Sequence, residues 1–207
     1  MSRFIRLSLM AACWLAIALQ SADAKRLAPI DELRASFTVG GDPVPPEIFR
    51  DMGDGDMADS GSIIVTIDVK AATGSNLYAD PIRRNGDWVS QSRQDPHDKN
   101  LTQEEAYRFI GATANKLLVA VTSYSGGGSG VFYTLHILSA EPGHGIDSDG
   151  KRYQRLNVTT IRSVPLGDRW DGDVRINGNI IAITTTGGVP GGHDRKPSTR
   201  TIRAERP

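Results

Sequence analysis

Leu117-Leu118-Val119-Ala120-Val121, within the run Lys116 to Tyr124, decides the fold. A strand with one face in water alternates apolar and polar residues. Leu117 to Val121 is apolar at every position, so both faces need cover and the run reads as a central strand. Toward the C terminus, Gly126-Gly127-Gly128-Ser129-Gly130 is followed by Val131 to Leu138, where Val131, Tyr133, Leu135 and Ile137 share a face. Tyr153 to Val164 is a further long strand with Leu156 and Val158 on one face, and Asp147-Ser148-Asp149-Gly150 turns the chain between the two. Gly172 to Ile176 and Asn179 to Thr184 flank Asn177-Gly178, the strongest short hairpin signal. Thr199 to Arg203 adds an edge strand.

Toward the N terminus one conflict needs resolving. Thr102-Gln103-Glu104-Glu105 has the form of a helix capping box. Tyr107-Arg108-Phe109-Ile110 is aromatic and β-branched, however, and Gly111 would stop a helix after two turns, so a strand is expected from Ala106 to Ala112. Asn85-Gly86 turns a hairpin into Asp87-Trp88-Val89-Ser90. Ile63, Val65, Ile67 and Val69 alternate on one face of another strand. Before it, Pro29, Pro43, Pro45, Pro46, Gly53 and Gly55 interrupt the chain, leaving a turn of helix from Pro29 to Arg34 and otherwise extended loop.

About seven or eight strands, turn signals every ten residues or so, and hardly any helical pattern predict an all-β chain, an antiparallel sandwich or barrel. No internal repeat supports a propeller. Strands of unequal length, few aromatics and a strand apolar on both faces do not fit an outer-membrane barrel.

The first residues carry an address. Arg3 and Arg6 precede an apolar run from Leu7 to Leu19, broken only by Ser8, and Ala22-Asp23-Ala24 supplies small residues for a peptidase. This is the pattern of a Sec-type secretory signal peptide cleaved after Ala24, which predicts a periplasmic or extracellular protein. The run is shorter than the roughly 20 residues a spanning helix needs, so no membrane span is expected. Met10-Ala11-Ala12-Cys13 loosely resembles a lipoprotein signal, but Trp14 to Leu19 continues the apolar run past the cysteine, so no lipid anchor is expected. The division that follows is a signal peptide (1–24), an irregular segment (25–61), a β domain (62–190) and a basic tail (191–207).

Cys13, the only cysteine, leaves with the signal, so the exported chain has no disulfide, no thiolate nucleophile and no cysteine metal ligand. The whole chain has 24 basic and 24 acidic residues; losing Arg3, Arg6 and Asp23 leaves 22 and 23, which gives no support for nucleic-acid binding. The balance is uneven along the chain. Asp42 to Asp59 carries six carboxylates against Arg50, and the tail from His193 carries five basic residues. These read as solvated segments, or as two ends that attract each other.

Five residues are candidates for ligand contact. The glycine run cannot be a phosphate loop, because no Lys-Ser/Thr follows and Val131 opens a strand rather than a helix. It is a turn, or a place where a ligand nears the backbone, with Gly126, Gly128 and Ser129 as the contacts. Ser129 fails as a nucleophile elbow: Gly127 lies two residues before it but Val131 two after. His97, His144 and His193 fall in expected loops without a triad motif, and His136 reads as a surface or half-buried strand residue. Arg169 and Trp170, in Leu166-Gly167-Asp168-Arg169-Trp170-Asp171-Gly172-Asp173, are residue types favoured at binding surfaces. The alternative is that Trp170 plugs one end of the sandwich, with Asp168 and Asp171 capping the turn and Arg169 paired to one of them.

Asp54, Asp56 and Asp59 form a loose candidate calcium site. Asp147 opens like an EF-hand loop but places Lys151 at position 5 and Val158 at position 12, which fails. No other cofactor is expected. The sequence therefore predicts an exported, non-catalytic β-domain that binds an envelope protein or a glycan. The alternatives are a cell-envelope hydrolase with no recognisable motif and a calcium-stabilised structural module.

Overall fold

The strand apolar on both faces is covered on both, by two different layers. A computed structural model describes residues 28–52, 66–74, 80–95, 97–187 and 197–206. Its chain order is α1 (Pro29–Ser36), β1 (Thr38–Val39), β2 (Asp42–Pro43), α2 (Ile48–Asp51), β3 (Thr66–Asp68), α3 (Val69–Gly74), β4 (Arg83–Asn85), β5 (Trp88–Gln94), β6 (Thr102–Ala112), β7 (Leu118–Ser125), β8 (Phe132–Ile146), β9 (Arg152–Asp168), β10 (Gly172–Asn177), β11 (Ile180–Thr185) and β12 (Ser198–Arg203). An antiparallel sheet of seven strands runs β3-β9-β8-β7-β6-β5-β4, with β7 in the middle. A second sheet, β10-β11-β12, has three strands.

The all-β antiparallel reading holds, and sheet packs on sheet. Leu117, Val119 and Val121 point from the large sheet toward Val174, Ile181 and Ile183 of the small one, with Leu135, Ile137 and Val164 beside them. Alternation does the rest, because Leu118 and Ala120 then face the opposite side. There they meet Leu138, Ala140, Leu156 and Val158, and a cover of Leu33, Phe37, Val44, Ile48 and Phe49 from the N-terminal segment. The two sheets are also tied at one corner. The Ala114 amide donates to the Gly178 carbonyl at 2.9 Å, and the Asn115 amide to Asn179 Oδ1 at 2.9 Å.

The hairpins at Asn85-Gly86 and Asn177-Gly178 form as expected, with Asn85 opposite Trp88 and Asn177 opposite Ile180. The capping-box conflict resolves in favour of the strand, since β6 starts at Thr102 and pairs on both sides. Thr199 to Arg203 falls in β12, which pairs with β11.

Three expectations need correcting. The strand expected from Ile63 to Val69 is, among the described residues, only Thr66–Asp68, and Val69 opens α3 instead. The Asp68 carboxylate accepts the amides of Lys70 and Ala71, which turns the chain into that helix. The stretch expected to be mostly loop after Arg34 instead builds a core layer. Phe37 adopts a left-handed conformation (φ 55°) to end α1 and is fully buried, packed against Tyr107 and Phe109. Glu32 then holds the β1–β2 turn, accepting the Thr38 hydroxyl at 2.9 Å and the amides of Gly40 and Gly41 at 3.0 and 2.6 Å. Finally, His144 lies within β8, opposite Gln154, not in a loop, because β8 and β9 run on together past the end of β7.

Among the described residues no helix is long and apolar enough to cross a membrane.

Candidate functional site

One end of the large sheet gathers three loops. The glycine run joins β7 to β8, residues 95–101 join β5 to β6, and Arg169 to Asp171 joins β9 to β10. At Gly127 the backbone takes φ +89°, and a Cβ there would lie 3.0 Å from Leu101 Cβ and 3.1 Å from the Thr102 amide nitrogen. Glycine at this position therefore lets the first two loops touch. The third closes on the glycine run through three bonds. The Val131 amide donates to Asp168 Oδ1 at 2.9 Å, the Arg169 amide donates to the Val131 carbonyl at 2.7 Å, and the Arg169 guanidinium donates to the Ser129 carbonyl. Arg169 does this from a left-handed backbone (φ 46°), a conformation that costs a non-glycine residue about 1 kcal/mol. Strain of this kind gathers at sites where position matters.

Register then builds a row on the sheet face at this end. Gln91 on β5 stands opposite Glu105 on β6, Glu105 opposite Tyr124 on β7, Tyr124 opposite Phe132 on β8, and Phe132 opposite Asp168 on β9. Directly opposed residues share a face, so the row crosses five strands, about 19 Å at ordinary strand spacing. Its two halves differ. The Gln91–Glu105 half lies under the N-terminal layer. Gln91 Oε1 accepts the Glu47 amide at 3.3 Å, and Arg50 reaches Glu47 at 3.2 Å and Glu105 at 3.6 Å. In the Tyr124–Phe132–Asp168 half, Phe132 is 55% exposed while Tyr124 and Asp168 are half-buried. Gly130 lets the Phe132 ring lie against the glycine run, since a Cβ there would lie 3.0 Å from it.

Glu105 is the electrostatic oddity. It is 9% exposed, and neither of its oxygens has a hydrogen-bond partner. Burial pushes its carboxyl up to about 7, with Arg50 and Arg93 pulling the other way and Glu47 and Asp51 adding to the rise. Both oxygens are enclosed where α2 packs on β6, with Arg50 3.6 Å away. Asp95 shows the opposite behaviour. The amides of His97 and Asp98 donate to it at 2.8 and 3.0 Å, and these bonds hold its carboxyl below the usual range.

The sequence-derived residues separate clearly. Gly126, Gly128, Ser129 and Arg169 come together at the loop end. Trp170 does not join them on the open face. It is 7% exposed and packs in the core between the sheets, its Nε1 donating to Thr185 Oγ1 at 3.2 Å. Of the flanking carboxylates, Asp168 pairs with Arg169 at 3.8 Å and Asp171 accepts the Thr186 hydroxyl at 2.7 Å. His136 is neither surface nor half-buried. It is 1% exposed, because the N-terminal layer covers its face and Phe49 rests 5.0 Å from its ring. Thr122 and Ser163 hydroxyls lie 3.1 Å from its two nitrogens. Asp54, Asp56, Asp59 and His193 lie outside the described residues. Among the described residues, no group of three or more His, Cys, Asp or Glu side chains is placed to hold a metal ion.

Reading the sequence missed Phe132 and Tyr124. The signal was present: with Tyr133 and Leu135 turned inward, Phe132 had to face the other way, next to a glycine run that leaves it bare. Comparison with protein families, curated proteins and solved structures finds no match for this chain.

Proposed function

We propose that this is an exported, non-catalytic binding protein whose ligand sits on the open end of the large sheet, over Tyr124 and Phe132 and between the glycine run and Asp168-Arg169. The observation that carries this reading is the exposed Phe132 ring, set in a row with Tyr124 and Asp168 and framed by the glycine run and the two loops that meet it. Leaving a phenyl ring in water forfeits about 1.5–3 kcal/mol of burial, and nearby residues of the same strand are fully buried, so the exposure is local. Loops held on a rigid sheet are where β-sandwich proteins commonly bind. The N-terminal sequence pattern supports an extracytoplasmic ligand.

The test is co-sedimentation with a cell-envelope fraction of the source organism. Phe132→Ala and Arg169→Ala are expected to lose at least about tenfold in apparent affinity, equivalent to about 1.4 kcal/mol. Ile146→Ala, at the far end of β8, is expected to bind like the parent. Equal binding by all three, with melting temperatures unchanged, would remove the site.

A further inference from the structure

We propose that the loop-end surface binds a neutral pyranose ring, stacked on Tyr124 and Phe132 and hydrogen-bonded at its rim by Asp168 and Arg169; this rests on the binding reading above and names its ligand class. Phe132 and Tyr124 are directly opposed on neighbouring strands, so their Cβ atoms stand about 5 Å apart and both side chains leave the same face. A gluco-configured pyranose is of that size, with apolar C–H faces and hydroxyls at its edge. Aromatic rings on a rigid sheet supply flat contact area at low entropic cost. Gly126 and Gly130 let the two rings lie against the glycine run: a Cβ at the first would lie 3.3 Å from Tyr124 Oη and at the second 3.0 Å from the Phe132 ring.

The rim chemistry matches hydroxyls. The Asp168 carboxylate accepts, the Arg169 guanidinium donates, and both side chains are 38% exposed. They face each other at 3.8 Å, so the rim carries no net charge and favours neither an anionic nor a cationic ligand. A protein partner fits less well. Stable interfaces bury about 800 Å² per side around an apolar centre. Among the described residues, the exposed large apolar side chains are Phe132, Ile146 and Ile180. Ile146 ends the strand that Phe132 begins, about 46 Å away by strand rise, and Ile180 lies on the other sheet. No contiguous apolar patch forms from them, whereas one sugar ring needs only the Phe132 end.

The test is titration of the exported chain with cellotetraose and with tetra-N-acetylchitotetraose, followed by calorimetry and by the NMR signals of the aromatic rings. The expected result is binding of at least one of them with Kd about 1 mM or tighter. Phe132→Ala should weaken it at least about tenfold, and Asp168→Asn should weaken it too, with melting temperatures held within about 2 °C of the parent. Binding unchanged in both variants would overturn the proposal, as would no binding of either saccharide by folded protein at about 10 mM. In the second case, radical footprinting in an envelope fraction separates the two levels. Protection of Phe132 that protease treatment of the fraction abolishes would mean that the loop end holds a protein, so the glycan assignment alone falls. No protection at all would remove the binding reading with it.

Discussion

Trp170 and Phe132 end on opposite faces of one sheet, and that placement determines what each residue does. Trp170 is packed 6.0 Å from Tyr133 between the sheets, so truncating it leaves a cavity in a core that has no disulfide to fall back on. Trp170→Ala is expected to cost about 3–5 kcal/mol of stability, read as a lower urea midpoint at unchanged slope. A loss below about 1 kcal/mol would mean that the indole is not core. From the sequence alone, Trp170 was the more suggestive aromatic because it sits in a polar connection beside Arg169. The alternative reading, a plug at the end of the sandwich, is where the structure places it. The choice could not be made locally, because which way a residue points after Asp168 depends on a bulge, and β9 slips register against β8 between Tyr133 and Thr134.

At the scale of elements, α2 and β6 meet through a buried carboxylate, and this makes their packing sensitive to pH. Glu105 has its carboxyl raised to about 7 in the folded chain, above its ordinary value near 4.5. The folded state therefore holds the proton more tightly than the unfolded state. Its contribution is fully present below about 4.5 and is lost as pH rises through about 7. Glu105→Gln removes that dependence. It should flatten the fall in stability between pH 5 and pH 8 by an amount on the order of 1–3 kcal/mol, measured by urea unfolding at each pH. An identical pH profile in parent and variant would show that the carboxylate stays charged in the fold. The strands of both sheets were legible because alternation and Asn-Gly turns are local signals. The layer carrying α2 was not. Phe37, Val44, Ile48 and Phe49 follow no periodic pattern, and prolines and glycines lie among them. Their burial comes from a sheet face supplied by residues some 58 or more positions away, as Phe49 against Tyr107 shows, which no window of sequence contains.

For the whole molecule, both faces of the large sheet are used, and one is divided. The small sheet covers one face, and α1, α2 and α3 cover much of the other, up to the row where Glu105 gives way to Tyr124 and Phe132. The apolar run from Leu117 to Val121 announced two covered faces, but not which layer lay on each or where the cover stopped. Hydroxyl-radical footprinting of the aromatic side chains, in buffer and again with a cell-envelope fraction, tests the division and its use together. In buffer, Phe132 should be oxidised far faster than Phe37, Phe49, Tyr107 and Trp170, and with the envelope fraction Phe132 alone of these five should become protected. Phe132 as protected in buffer as Phe37, or as reactive with the fraction as without it, would contradict the account.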